Sequence, residues 1–224
     1  MVTLFLMRHG ETAWNNQRRV MGRLEIPLNR QGTAQSRRVA KLLPELEVRA
    51  IYSSPLKRAL DTAFIIAGSQ SLTVETDANL TEVAFGRWEG LQFEELVKDP
   101  AYHHFLRDPL GAAVPGGETL PAVQKRGLRA LRRAMREYPD DRLLFVSHGD
   151  VIRAILCHYL NLPLVEFRRL RIDNGSLSAV EVDGSWAEVK FVNYLHNVAR
   201  VSKEPFVGLH PERIASKRRV CEGS

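Results

Sequence analysis

Short apolar runs alternate along the chain with segments of helical periodicity. Residues 2–7 and 143–147 are near-continuous apolar runs with β-branched and aromatic members, and residues 50–53 form a shorter one. Such runs are typical of strands that are buried on both faces. Apolar residues also recur at helical spacing in four segments, near 30–46, 55–67, 119–137 and 151–160. The pattern predicts parallel strands joined by crossover helices.

Capping residues and turn residues refine these elements. Asn29 is a suitable N-cap for the helix near 30–46. Ser54 and Pro55 predict the start of the following helix, with Ser54 as N-cap and Pro55 at its first position. The sequence also predicts a strand near 72–75 and, across Asp183-Gly184, an antiparallel hairpin of residues 176–182 and 186–193.

Residues 85–118 interrupt the alternation with glycines, prolines and aromatic residues, and carry weak helical patterns near 92–98 and 101–107. We interpret this segment as a small cap insertion within one domain, residues 1–203. Residues 204–224 are predicted to be a loose basic tail. The expected fold is an α/β three-layer α/β/α sandwich, with a mostly parallel sheet, helices on both faces and the cap.

Composition restricts the classes of partner. The 224 residues carry a formal net charge of +6, but the basic residues are scattered, so solvated faces explain most of them better than a nucleic-acid stripe does. No apolar stretch approaches the length of a membrane span. The apolar start lacks the basic region and cleavage site of a signal peptide, and Cys157 and Cys221 do not suggest a disulfide. We therefore expect a cytoplasmic protein with no nucleic-acid or membrane partner.

Polar segments follow three of the predicted strands at their carboxyl ends. Arg8-His9-Gly10 follows the first strand, residues 53–58 with Arg58 follow the second, and Ser147-His148-Gly149 follows the strand at 143–147. Ligands of open α/β sheets bind at this edge. If the strands are neighbours, two histidines and two arginines therefore converge.

These residue types suit phosphoryl transfer. The guanidinium groups of Arg8 and Arg58 can bind phosphate oxygens through paired hydrogen bonds, and their charge should lower the pKa of His9 and keep its imidazole neutral and nucleophilic. His148 could hold the transferring oxygens, with backbone donors at the helix that begins near Gly149. Gly10 and Gly149 would let the backbone approach the phosphate closely.

A leaving alkoxide also needs a proton. Glu82 is the best candidate, because it begins the cap insertion, where partial burial would raise its pKa into the range of a general acid.

Several motifs, in order, resemble the histidine phosphatase superfamily, in its phosphoglycerate mutase-like branch. They are Leu6 to Asn15, Pro27 to Gly32, Ser53 to Ala63, Leu80 to Gly90, Pro115 to Thr119 and Val146 to Gly149. The resemblance covers about residues 2–195 and implies a phosphorylated nucleophile at His9 and a phosphate pocket of Arg8, Arg58 and His148. It also implies Asn15 as a further pocket donor, Glu82 as proton donor, and neither metal nor cofactor. Met21 departs from the glutamine that many family phosphatases carry there.

Three functions remain in competition. The favoured one is a phosphomonoesterase acting on small-molecule phosphate esters, such as α-ribazole phosphate, glucosyl-phosphoglycerate or a broad range of them. A cofactor-dependent phosphoglycerate mutase would use the same phosphohistidine, but residues 85–118 carry only Arg87 and Arg107 and no paired arginines. A non-catalytic phosphate-ligand or nucleic-acid binder is the third. A homodimer is left open.

Some residues near the site have simpler explanations. Trp88 is expected to pack the cap rather than stack on a substrate, and Arg23 to be a solvated loop residue rather than a contact for a substrate anion. Glu118 either favours the N-terminus of the long helix or takes part in catalysis. For Asn15 the pocket role is favoured over stabilisation of its own loop.

Overall fold

The strand that leads to His9, β1 (Val2–Arg8), has neighbours on both sides in a computed structural model of the protein, which describes residues 1–68, 72–112 and 114–195. Within these residues a six-stranded sheet has the order β3-β2-β4-β1-β5-β6. Neighbouring strands are parallel from β3 to β1, and β5 and β6 are antiparallel. The other strands are β2 (Ala50–Ser53), β3 (Val74–Thr76), β4 (Arg142–Ser147), β5 (Leu177–Asp183) and β6 (Trp186–Tyr194).

Helices cover both faces of the sheet. Their bounds are α1 (Ala13–Asn16), α2 (Arg30–Leu46), α3 (Lys57–Ala67), α4 (Phe93–Leu96), α5 (Pro100–Arg107), α6 (Leu120–Glu137) and α7 (Gly149–Tyr159). Alternate residues of β1 contribute to separate apolar clusters: Leu4 and Leu6 pack with α6 and α7, whereas Phe5 and Met7 pack with α2 and α3. The three-layer sandwich is therefore confirmed, with a mixed sheet whose parallel part supplies the site.

The start of α3 differs from the prediction. The helix begins at Lys57 and not at Pro55, and the Ser54 hydroxyl both accepts a hydrogen bond from the Leu56 N–H at 3.3 Å and lies 2.8 Å from His148 Nε2. The cap is supplied from a distant loop, where the carboxylate of Glu25 accepts a hydrogen bond from the Lys57 N–H at 2.8 Å. A local pattern could not predict this start, since the capping group lies 32 residues away.

Residues 85–118 contain their own apolar cluster. Trp88 is fully buried in it and makes edge contacts with the rings of Tyr102 and Phe105, while its Nε1–H donates to Asp99 at 2.8 Å. This confirms a packing role for Trp88, inside the cap. The predicted tail, 204–224, lies outside the described residues. No helix in the described ranges is long and apolar enough to span a bilayer.

Candidate active site

The carboxyl ends of β1, β2 and β4 lie side by side, as the sequence predicted. Arg8 is level with Ser147 across the β1–β4 pair, and the His9 N–H donates to the Ser147 carbonyl at 3.0 Å. The rings of His9 and His148 consequently lie 5.2 Å apart, centre to centre. The sheet order, and not any local interaction, brings the two histidines together.

His9 is held as a neutral imidazole with a defined tautomer. Its ring is buried, and Nδ1 lies 2.7 Å from the Gly10 carbonyl oxygen. Because a carbonyl can only accept, Nδ1 carries the proton and Nε2 carries the free lone pair. Burial lowers the pKa of His9 well below 6.5, with Arg58 and Arg8 lowering it further. The sequence predicted this direction from the arginines alone, whereas burial is the larger cause.

The loop that precedes β5 supports the backbone of His9. The sequence did not predict this contact. The His9 carbonyl accepts hydrogen bonds from Asn174 Nδ2 and from the Gly175 N–H, both at 3.2 Å. Gly175 has a left-handed φ of +72°, a conformation that glycine adopts without steric cost. An Asn-Gly pair before the hairpin was the available signal, but it predicts a turn and not its contact with a strand 165 residues away.

Arg58 is buried and Arg8 is half-buried, and the Nε of each lies buried without a hydrogen-bond partner. Arg8 Nη1 donates to the Ile172 carbonyl at 2.7 Å, and the Arg58 η nitrogens donate to the carbonyls of Leu24 and Gly22 at 2.8 and 2.7 Å. Burial lowers the pKa of Arg8 to about 10, which still leaves it charged at neutral pH.

His148 supplies a third unpartnered nitrogen. Nε2 lies 2.8 Å from the Ser54 hydroxyl, and Nδ1 is buried with no partner. Burial, followed by Arg58, lowers its pKa well below 6.5. A buried donor without a partner costs about 1–3 kcal/mol, so three such nitrogens around one histidine indicate a site built for an oxygen-rich ligand.

Glu82 has the electrostatics of an acid that is protonated near neutral pH. Burial and the charge of Asp150 raise its pKa to about 7, against the opposing effects of the Val83 N–H, Arg58 and Arg8. The direction is the one that the sequence predicted. Its only described hydrogen bond through the carboxyl group is from the Val83 N–H to Oε1, at 3.0 Å.

Asn15 stabilises its own loop, the simpler of its two explanations. Its Oδ1 accepts from the backbone N–H and the hydroxyl of Thr12, at 2.9 and 3.0 Å, in a capping box at α1. The phosphate-pocket role of Asn15 stays a prediction. Met21 belongs to the same group of contacts, because its thioether sulfur lies 3.2 Å from the Thr12 hydroxyl.

Packing against α2 gives Gly10 a role that the sequence did not predict. A Cβ at Gly10 would lie 2.5 Å from the carbonyl oxygen of Gly32 in α2, so helix packing requires a glycine there. The approach of Gly10 and Gly149 to a phosphate stays a prediction. Gly149 begins α7, and a Cβ there would lie 3.4 Å from Arg8 Nε, one of the unpartnered donors.

A cluster beside Glu82 was not predicted from the sequence. Arg126 of α6 donates to both carboxylate oxygens of Glu118 at 3.0 Å, and Arg23 approaches the same carboxylate at 2.9 Å. Glu118 therefore forms ion pairs and does not act as a simple helix-terminus charge, and Arg23 is not merely solvated. The missed signal was Arg126 itself, a charged residue three positions after Val123 on the apolar stripe of α6.

Within the described residues, no group of three or more His, Cys, Asp or Glu side chains is arranged to hold a metal ion. Adjacent His103 and His104 do not form one: His103 Nε2 contacts the Val97 carbonyl at 2.7 Å and His104 is exposed.

Comparison with known proteins gives a consistent picture. The family model of the Histidine phosphatase superfamily (branch 1) matches residues 4–194. Phosphoglycerate mutase-like protein 4 of Arabidopsis thaliana is 38% identical over 68% of this chain and 68% of its own. Phosphoserine phosphatase 1 of Hydrogenobacter thermophilus is 32% identical over 82% and 88%. The solved structure of mycobacterial glucosyl-3-phosphoglycerate phosphatase with VO3 is 28% identical over 85% of this chain and 98% of that one, with a TM-score of 0.77.

Proposed function

The chain belongs to the histidine phosphatase superfamily (branch 1), and on that premise we propose that it hydrolyses small-molecule phosphate esters through a phosphohistidine at His9. The observation that carries the proposal is the set of unpartnered nitrogens around this histidine: Arg8 Nε, Arg58 Nε and His148 Nδ1. The two arginine Nε–H groups can donate to phosphoryl oxygens, and His148 Nδ1 donates to a third in the tautomer in which Nε2 accepts from the Ser54 hydroxyl.

In the first step, His9 Nε2 attacks phosphorus, an N–P bond forms and the ester P–O bond breaks. The Gly10 carbonyl accepts from Nδ1–H at 2.7 Å and thereby stabilises the positive charge that develops on the ring. The proton of Glu82 passes to the leaving alkoxide, so the alcohol departs neutral. A pKa of about 7 makes this proton available at neutral pH.

In the second step, the Glu82 carboxylate removes a proton from water, which attacks the phosphorus of phosphohistidine. The N–P bond breaks, inorganic phosphate leaves, and Nε2 regains its lone pair. Arg8 and Arg58 stay charged through both steps and balance the charge on the phosphoryl oxygens. We include metal independence in the proposal, because the arginines supply the positive charge that a metal ion would otherwise provide.

The cap favours hydrolysis over the mutase reaction. Arg87 forms an ion pair with Asp99 at 3.1 Å, and Arg107 donates to the carbonyl of His103 at 3.3 Å. Each cap arginine thus has a partner inside the cap, which does not favour their use as a cradle for a second phosphorylated molecule. The similarity to a phosphoglycerate mutase-like protein keeps that isomerase as the second candidate.

Phosphate release across a panel of phosphate esters, beside 2-/3-phosphoglycerate interconversion, tests the proposal. Release should exceed interconversion, and His9→Ala should abolish both, whereas His104→Ala, an exposed cap histidine, should abolish neither. Labelled substrate should leave an acid-labile, base-stable phosphoryl group on the wild type and on His104→Ala but not on His9→Ala. EDTA should not change the rate. Faster interconversion than release would favour the mutase, and substantial activity of His9→Ala would exclude His9 as nucleophile.

A further inference from the structure

We propose that Arg126 and Glu118 form a positioning pair that holds Glu82 in place for proton transfer to the leaving group. The inference rests on the proposed function, since it concerns the acid step. It assigns a role to two residues that make no contact with His9 in the described structure.

Arg126 fixes the backbone on both sides of Glu82. Its Nη1 donates to the Asn79 carbonyl at 2.7 Å, and its Nη2 donates to the Glu82 carbonyl at 3.1 Å. One planar guanidinium thus joins two points of the loop that carries the acid. A guanidinium has five N–H donors in a rigid fork, a geometry that lysine cannot reproduce.

Glu118 orients Arg126 and adds its own contacts to the same loop. It accepts from Arg126 Nε and Nη2, each at 3.0 Å, and from the Ala84 N–H at 3.1 Å. Its backbone N–H also donates to the Ala84 carbonyl at 3.0 Å. Burial opposes ionisation of Glu118, but the hydrogen bonds from Arg126 and Ala84 outweigh it and lower its pKa, so the carboxylate is charged.

The pair is largely shielded from solvent. The side chain of Arg126 is 10% exposed and that of Glu118 is 21% exposed. Truncating one partner of a shielded ion pair leaves an uncompensated charge, so the pair should behave as a unit. Arg23 extends it, pairing with Glu118 at 2.9 Å and donating to the Glu82 carbonyl at 3.3 Å, but its side chain is 44% exposed.

Glu82 depends on this support because its carboxyl group has little anchoring of its own. The one hydrogen bond described for the carboxyl comes from the next residue, Val83, and moves with the loop. The position of the acidic proton is therefore set by the main chain at 79–84. Arg126 and Glu118 fix that main chain from outside the loop at Asn79, Glu82 and Ala84, whereas the Ser147 hydroxyl holds the Leu80 carbonyl at 2.7 Å.

The leaving group provides a test that separates positioning from general damage. p-Nitrophenolate is a weak base that departs without a proton, whereas an alkoxide needs the acid. We expect Glu118→Gln and Arg126→Lys to lower kcat/KM on the best alkyl ester of the panel by roughly tenfold or more, a fraction of the ~10²–10⁴ that a general acid provides. The kcat/KM of p-nitrophenyl phosphate should stay within about twofold of the wild type, because this ratio reports only the steps up to release of the alcohol, and phosphate binding and attack by His9 do not use the pair.

Two reference variants complete the experiment. Glu82→Gln should show the same selectivity for the leaving group, in a stronger form. Arg132→Gln removes a charge from an exposed position of the same helix and should leave both rates unchanged. Glu118→Gln keeps the size of the side chain and an acceptor for the Ala84 N–H, so it tests the pair if Arg126→Lys folds poorly.

Equal losses on both esters, or no loss on either, would overturn the positioning role while leaving the proposed function intact. A wild type that hydrolyses neither ester would instead overturn the proposed function.

Discussion

Replacing His9 or Glu82 by glutamine should change the pH dependence of stability in opposite directions. The pKa of His9 and that of His148 lie well below 6.5 in the folded protein, so both rings stay neutral near pH 6. In the unfolded chain each histidine is about three-quarters protonated at that pH. Unfolding therefore takes up protons at these two positions, and stability should fall as the pH falls through 6.5.

The carboxyl group of Glu82 changes the stability with pH in the opposite direction. Its folded pKa, about 7, is above its ordinary value of 4.5, so near pH 6 it is protonated when folded and ionised when unfolded. The stabilisation of the folded state by neutral Glu82 is fully present below its unfolded pKa of 4.5 and is lost as the pH rises through 7. Unfolding at pH 6 thus releases about one proton here and takes up about one and a half at the two histidines. The net uptake at these three groups contributes an increase of about 1 kcal/mol per pH unit to the free energy of unfolding near pH 6. His158, whose pKa is also lowered by burial, adds a further increase that the substitutions at His9 and Glu82 do not change.

Urea unfolding at pH 5.5, 6.0 and 6.5 and constant ionic strength measures this slope. His9→Gln should lower it by about 1 kcal/mol per pH unit relative to the wild type, and Glu82→Gln should raise it by about 1 kcal/mol per pH unit. His104→Gln is the control, because the ring of His104 contacts water in both states. Equal slopes in the wild type, His9→Gln and Glu82→Gln would refute the conclusion that folding holds these groups in their neutral forms.

Three further outcomes are expected. The value of kcat/KM should fall above pH about 7, because the protonated form of Glu82 is the reactive one and is lost as pH rises, and Glu82→Gln should lack this limb in a pH–rate profile. Gly10→Ala should lower the free energy of unfolding, measured in urea, by about 1–3 kcal/mol, since its Cβ would lie 2.5 Å from the Gly32 carbonyl oxygen. Ser54→Ala should lower kcat/KM by roughly tenfold, because the hydroxyl that orients the ring of His148 is lost.

The predictions for Gly10→Ala and Ser54→Ala each have a control variant at a comparable residue. A Cβ at Gly149 would meet only the ends of arginine side chains, at 3.3 Å or more, so Gly149→Ala should cost less stability than Gly10→Ala. Ser53 donates to the Ser54 carbonyl at 2.9 Å and does not contact His148, so Ser53→Ala should retain more activity than Ser54→Ala. The reverse order in either pair would contradict the assigned contact.

Local pattern was sufficient for the parts of this protein that depend on neighbours along the chain. The apolar runs at 2–7 and 143–147 predicted β1 and β4 because strands buried on both faces need apolar residues at every position. These runs and the shorter one at 50–53 located the polar segments at the carboxyl ends, and hence the convergence of His9, Arg58 and His148. The raised pKa of Glu82 was predicted from its place at the start of the cap.

The remaining features depend on contacts between distant residues. Glu25 determines where α3 begins, Gly32 explains why residue 10 is glycine, and Arg126 reaches the loop of Glu82 from 44 residues away. Such contacts depend on how the layers pack, so the periodicity of a single segment cannot predict them. The motif Arg8-His9-Gly10 thus indicates a class of chemistry, while the packed structure determines which nitrogen of His9 keeps a free lone pair and which groups contact the loop of Glu82.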